Sequence, residues 1–188
     1  MELSEIRENL KKTLSEKRYK HSLGVEDVAC DLALIHGADT NKASIAGILH
    51  DCAKYLQGEE FMTECIKYQI SISEYERDDP YMLHGKISAI YAKEKYGIMD
   101  EDILNAILYH TTGRPNMSLI EKIVYIADYI EPNRGTFLVL SEAREAAYKN
   151  LDEAVVIISK STLEYLQDKG INIDPRTRMT YEHYVNQI

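Results

Sequence analysis

Apolar residues recur every three or four positions along most of the chain. Val25, Val28, Ala29, Leu32 and Ala33 form one stripe, and Ala43, Ala46, Ile48 and Leu49 begin a second. Ile87, Ile90, Tyr91 and Ala92 mark a third, and Ile103, Leu104, Ile107 and Leu108 a fourth. A fifth runs through Leu119, Ile120, Ile123, Val124, Ile126 and Ala127. A long one near the C-terminus carries Leu151, Ala154, Val155, Ile158, Leu163 and Leu166. This is the period of helices packed by one face, and strict alternation over five or more residues is nearly absent. Punctuation agrees. Ser118 with Glu121 is a capping-box pattern, and Asp100-Glu101-Asp102 puts negative charge where a helix N-terminus favours it. Gly37, Gly97 and Gly170 follow periodic segments as helix C-caps do, and Pro115 and Pro132 sit just past helix ends. The N-terminus reads as a short amphipathic helix, and Asn172 to Tyr184 as a turn and a short helix. The pattern predicts an all-α fold of roughly eight to ten helices of ordinary length.

The length of 188 residues suits one sizeable domain. The most apolar run, "SLIEKIVYIADYI", is cut by Glu, Lys and Asp, so no transmembrane helix is expected. "MELSEIRENLKKTL" lacks the apolar region of a secretory signal, and a cytoplasmic location is expected. Three cysteines without CxxC spacing, Cys30, Cys52 and Cys65, argue against a disulfide framework and a thiolate zinc site; each reads as a small buried apolar residue. A net charge of −9 with no basic stripe argues against a nucleic-acid partner. It leaves room for a small phosphate-bearing substrate held by local cations or metal ions. With no Trp and two Phe against fourteen Tyr, tyrosine is expected to do the aromatic packing with its hydroxyl at the surface.

Some polar residues break the stripes. His50 follows Ala46 by one turn and adjoins Leu49, and Asp51 stands beside it. His110 repeats this after Ile103 and Ile107, His84 opens a helix after "DDPYML", and Asp128 lies in the most apolar helix. Buried carboxylates are costly unless paired or metal-bound. Imidazole and carboxylate together suit zinc, iron or manganese. Spacing leaves two readings open: buried His–Asp hydrogen bonds, or a shared metal centre.

The ordered set His21, His50-Asp51, His84, His110 and Asp128 resembles the signature of the HD-domain metal-dependent phosphohydrolases. The blocks "RYKHSLGV", "ILHDCAKYL", "LHGKISA", "HTTGRPNMS" and "KIVYIADYIEPNR" are similar to the bacterial YqeK branch, with a weaker echo in "INIDPRTRMTY". The resemblance implies one HD domain over residues 1–188, with a motif core at 18–134 and C-terminal helices at 135–188. It implies symmetric hydrolysis of diadenosine tetraphosphate to two ADP by attack of a metal-bridging hydroxide on a phosphate. His21, His50, Asp51 and Asp128 would hold one metal ion and His84 and His110 a second, with Asp51 bridging. The family's metal is usually assigned as iron, and the same ligands accept manganese, zinc or nickel. His36 and His183 fall outside the blocks and receive no ligand role.

Beside these ligands, Lys54 reads as a phosphate clamp or transition-state stabiliser, or as a partner holding Asp51. Arg18 and Arg134 are candidates for bidentate phosphate contacts. Thr111, Thr112 and Gly113 form a polar turn suited to a phosphate or ribose, or a plain helix cap; Asn133 is a turn former or a ligand contact. The apolar C-terminal helix Leu151–Leu166 offers a possible homodimer face. The alternatives are another HD nucleotide phosphohydrolase or phosphodiesterase, or a non-enzymatic nucleotide-binding module.

Overall fold

A computed structural model describes residues 1–135 and 138–188. Among these residues there are eleven α-helices and no strand. They are α1 (Leu3–Thr13), α2 (Glu16–His36), α3 (Thr40–Leu49), α4 (Glu60–Lys67), α5 (Glu74–Asp78), α6 (His84–Glu94), α7 (Glu101–Tyr109), α8 (Leu119–Ile130), α9 (Leu138–Ala147), α10 (Leu151–Asp168) and α11 (Pro175–Val185). Short 3-10 turns at Pro80–Leu83 and Pro132–Arg134 precede α6 and follow α8.

The helix ends follow local chemistry. Ser118 and Glu121 close a reciprocal capping box on α8, and the Asp100 carboxylate accepts from the backbone N–H groups of Asp102 and Ile103. Gly37 ends α2 in the left-handed region. Gly97 does so after α6, where the Ile98 N–H reaches back to the Ala92 carbonyl at 2.9 Å. Two short helices stand outside the stripes read from the chain: α4, which buries Phe61 and Cys65 on one face, and the single-turn α5. α4 spans only about two turns and α5 one, too short for a sustained period.

α2 packs on α3 and α8, and α7 on α3, α6 and α8, so these helices surround one interior. Fully buried Val25, Leu32, Ile48, Leu49, Ile87, Ile107, Ile123 and Val124 fill it. Small residues let α2 and α3 approach closely. A Cβ on Gly47 would stand 3.0 Å from the Glu26 Cα, and Ala29, Ala43 and Ala46 are fully buried. The α10 stripe is used within the chain, against α8, α9 and α11, leaving Leu163 and Leu166 half-buried.

Two expectations change. Cys52 and Cys65 are buried, but Cys30 is partly exposed on α2 and its thiol faces the Thr40 carbonyl at 3.8 Å. Burial pushes the Cys52 thiol up to about 12, so it stays a neutral packing group beside Asp51. Nor do all tyrosine hydroxyls reach the surface. Tyr184 is buried and its oxygen accepts the Met117 N–H at 2.8 Å, while Tyr91 donates to Glu64 at 2.8 Å.

The weakly patterned region around α5 is held by charge. The Glu76 carboxylate is buried, takes the N–H and hydroxyl of Ser73, and pairs with Lys86 of α6 at 2.7 Å and Arg176 of α11 at 3.3 Å. Burial alone would raise its pKa; the Lys86 and Ser73 hydrogen bonds win and hold it below the ordinary glutamate value. A depressed folded-state pKa adds stability above the unfolded value, and this is lost as pH falls through the folded one. Glu76→Gln is therefore expected to cost roughly 2–3 kcal/mol at neutral pH, as for a broken, largely buried ion pair. In thermal melts the gap to the parent should narrow as pH drops below about 4.5, the ordinary glutamate value.

Candidate metal centre

Imidazoles reach the interior mainly from helix ends. His50 stands one residue past α3, His110 one past α7, and His84 begins α6. A helix end leaves main-chain carbonyls available, and each of these rings uses the carbonyl three residues back. The Nδ1 atoms of His50, His84 and His110 lie 2.7 Å from the Gly47 oxygen, 2.6 Å from Tyr81 and 2.7 Å from Ile107. His21 sits inside α2, and its Nδ1 meets the Glu131 carboxylate at 3.1 Å. At His50, His84 and His110 the carbonyl acceptor assigns the proton to Nδ1 and leaves the Nε2 lone pair pointing inward, whereas His21 has a carboxylate at each nitrogen, Glu131 at Nδ1 and Asp128 at Nε2.

Those Nε2 atoms converge. His21 and His50 stand 3.2 Å apart, and His84 and His110 3.1 Å apart. Asp51 lies between the pairs, fully buried. Its Oδ2 is 3.3 Å from His50 Nε2 and 3.7 Å from His21 Nε2. Its Oδ1 is 3.4 Å from His110 Nε2 and 3.7 Å from His84 Nε2. Asp128, from the last turn of α8, puts Oδ1 3.1 Å from His21 Nε2 and 3.7 Å from His50 Nε2.

This arrangement favours a shared metal centre over a set of buried His–Asp hydrogen bonds. Buried His–Asp hydrogen bonds require protons on the inward nitrogens, yet those of His50, His84 and His110 are committed to carbonyls. Asp51 Oδ1 is buried and accepts no aligned hydrogen bond, though the Lys54 ammonium lies 3.0 Å away. Facing lone pairs and a buried carboxylate oxygen met by the Lys54 ammonium form a donor set that fits a divalent metal ion. Burial lowers the pKa of His50 and His84, keeping both neutral as ligands must be. His21 differs: burial opposes its charge, but hydrogen bonds to Asp128 and Glu131 raise its pKa, so a cation would displace a proton there. Both aspartates are held well below the usual carboxylate range despite burial, Asp51 by the Lys54 ammonium, Asp128 by His21 and Arg134.

Three cations stand on these carboxylates. Arg18 Nη1 is 2.7 Å from Asp51 Oδ2, Lys54 pairs with Asp51, and Arg134 pairs with Asp128 and its carbonyl. Beyond His50 the chain tightens into successive turns that bond three residues back, and this brings Lys54 over Asp51. A cleft of about 370 Å³ reaches the cluster at His21, lined by Ser15, Lys17, Arg18, Glu131, Asn133 and Arg134. Ser15 and Lys17 went unnoticed in the sequence, where a helix cap and a lone lysine carry no signal. The Thr111 hydroxyl is 3.1 Å from His84 Nε2. Thr112 is buried, its hydroxyl donates to the Gly113 carbonyl, and its own carbonyl accepts from Thr180 at 3.0 Å. Gly113 has φ +63° and rests against Thr180. Asn133 donates to Glu131. His36 bonds the Ala147 carbonyl and His183 bonds Gln187, both outside the cluster.

The match to known proteins spans these residues. A family model described as "HD domain" covers residues 18–133, which span every member of the cluster, and the chain belongs to that family. Within it, the chain is similar to proteins named symmetrical bis(5'-nucleosyl)-tetraphosphatase. One from Halalkalibacterium halodurans is 43% identical, covering 92% of this chain and 91% of the relative. One from Bacillus subtilis is 41% identical, covering 94% of each. The crystal structure of a "predicted HD superfamily hydrolase involved in NAD metabolism" from Clostridium acetobutylicum superposes with a TM-score of 0.95 at 45% identity, over 100% of this chain and 99% of that one.

Gly85 sets the spacing between His84 and His110. A Cβ there would meet the Leu108 carbonyl at 2.9 Å, a backbone atom that cannot swing aside. Gly85→Ala is expected to push α6 from the end of α7, costing about 1–3 kcal/mol of stability as overpacking does. Thermal melts check the cost, and manganese titration should show weaker uptake than the parent.

Proposed function

We propose that this chain is a metal-dependent hydrolase that cleaves diadenosine tetraphosphate symmetrically into two ADP. The observation that carries the reading is the buried His and Asp donor set in an HD-family chain with long, close similarity to enzymes of that name. The domain is taken as the whole chain, 1–188, with its motif core at 18–134. His21, His50, Asp51 and Asp128 would hold one ion and His84 and His110 the other, with Asp51, which lies between the two pairs, shared by both. Iron is the metal we favour from the family resemblance; manganese, zinc or nickel suits the same donors. When bound, such ions supply Lewis-acid activation of water and offset phosphate charge.

The chain's own groups bind and orient. Arg18 spends one of its donors on Asp51 and is 30% exposed, so other N–H groups are free to face a phosphate entering the cleft. Arg134, at the same cleft, holds Asp128 and offers its remaining donors likewise. Lys54 is nearly buried and sits between Asp51 and the Tyr81 ring; it fixes the carboxylate and places a positive charge beside the reacting phosphate. Thr111 is the turn residue whose hydroxyl faces the cluster, whereas Thr112, Gly113 and Asn133 chiefly hold shape around it. Among the described residues no helix is long and apolar enough to cross a membrane. The partner is a small nucleotide.

Product analysis on diadenosine tetraphosphate, with protein purified anaerobically and its metal content measured, tests the reading. ADP is expected as the only nucleotide product; ATP and AMP in equal amounts would overturn symmetric cleavage. Asp51→Asn is expected to lose turnover and bound metal together, by at least about 100-fold in kcat, a loss typical of removing a group that stabilises the transition state.

A further inference from the structure

Three of the four imidazoles are oriented by the backbone, and His21 is the exception. In the interior of α2 the main-chain carbonyls serve the helix, so the ring needs an outside acceptor to fix its tautomer. Glu131, the residue that ends α8, supplies it: the carboxylate is buried, and Oε1 lies 3.1 Å from His21 Nδ1. Its other oxygen is committed as well. Oε2 accepts the Asn133 main-chain N–H at 2.7 Å and its side-chain N–H at 2.8 Å. Gly24, one turn beyond His21, admits this assembly, because a Cβ there would stand 2.6 Å from Glu131 Oε2 and 3.1 Å from Asn133 Nδ2. Arg144 of α9 braces the same corner by donating to the carbonyls of Ile130 and Glu131.

We propose that Glu131, clamped by Asn133 and given room by Gly24, is the positioning residue that holds His21 in the tautomer able to bind metal through Nε2. This rests on the reading of His21 as a ligand. The backbone N–H of Asn133 cannot change its sense, so whatever faces it must accept. In Glu131→Gln the amide oxygen must face Asn133, which turns the amide NH₂ toward His21 Nδ1. His21 then has to accept at Nδ1 and carry its proton on Nε2, the nitrogen aimed into the cluster. A nearly isosteric change, carbon framework intact, thus inverts one tautomer.

The test uses the full chain, with zinc alone as the diamagnetic probe. Long-range proton–nitrogen NMR at alkaline pH, where imidazoles are neutral, reads the tautomer of each ring. The parent is expected to show His21 protonated on Nδ1, and Glu131→Gln to show it on Nε2, with His50, His84 and His110 unchanged. Calorimetric titration is expected to show one zinc site weakened about 10–100-fold, the usual cost of losing a ligand's orienting partner, and the other retained. Asn133→Ala, which frees Oε2 of one donor, should shift zinc affinity the same way by a smaller factor, and carries the test if the Gln variant does not fold. A folded Glu131→Gln with His21 still protonated on Nδ1 and zinc binding equal to the parent, or an Asn133→Ala with unaltered affinity standing in for it, overturns the proposal. A parent that takes up no zinc defeats the metal reading instead, and the tautomers measured in the same sample still decide the role of Glu131.

Discussion

Everything at the heart of this fold depends on one unfavourable juxtaposition: hydrogen-bond acceptors gathered in the interior with few protons to share. His84 Nε2 and His110 Nε2 face each other at 3.1 Å, and Asp51 is buried between histidine pairs. An ordinary core would relax such a site by moving a side chain. Here each ring is tied at its far nitrogen, so relaxation means breaking a hydrogen bond behind it. Helix packing makes the convergence possible. Glycine and alanine bring α3 against α2, and Gly85 brings α6 against α7, which draws His50 toward His21 and His84 toward His110.

The use of helix termini follows from the same constraint. A ring inside a helix has only carbonyls committed to the helix around it, whereas a ring at an end reaches the carbonyl three residues back. Three histidines sit at such ends. His21 does not, and its orientation requires α8, which also delivers Asp128. One helix therefore provides both an inward carboxylate and the outer acceptor for a ring on another. That coupling links the α2–α8 packing to the donor set directly, with no intermediary beyond the Glu131 side chain.

Much of the fold could be read from the chain. The 3.6-residue stripes and the caps at Ser118, Asp100 and Gly37 correspond to observed helices and termini. His50, Asp51, His110 and Asp128 stood out because they interrupt apolar stripes, and such interruptions are local. The remainder was illegible for physical reasons. α5 is a single turn whose Ser73–Glu76 capping box is local, but one of the cations holding it, Arg176, lies a hundred residues away, beyond any window of sequence. The outer partners of three histidines are carbonyls, which every residue possesses. Glu131 resembles any glutamate after a helix until α2 is laid beside it. Cys30 misleads because composition ranks cysteine as buried while its place on the outward side of α2 leaves it partly exposed.

Charge at the centre reconciles an acidic chain with an anionic substrate. Asp51, Asp128 and Glu131 contribute three negative charges, and Arg18, Lys54 and Arg134 contribute three positive ones, a formal sum of zero within a protein of net −9. Each cation leans on a cluster carboxylate, so without further charge its attraction for phosphate is largely spent inside the protein. Divalent ions on the same carboxylates would compete for that attraction. The guanidinium groups of Arg18 and Arg134, at the mouth of the cleft, would then turn more of their donors outward. Metal loading and phosphate affinity are coupled on this account through shared carboxylates. The coupling needs no conformational change larger than the swing of two arginine side chains, and it leaves the acidic exterior to repel anions everywhere except where the centre is filled.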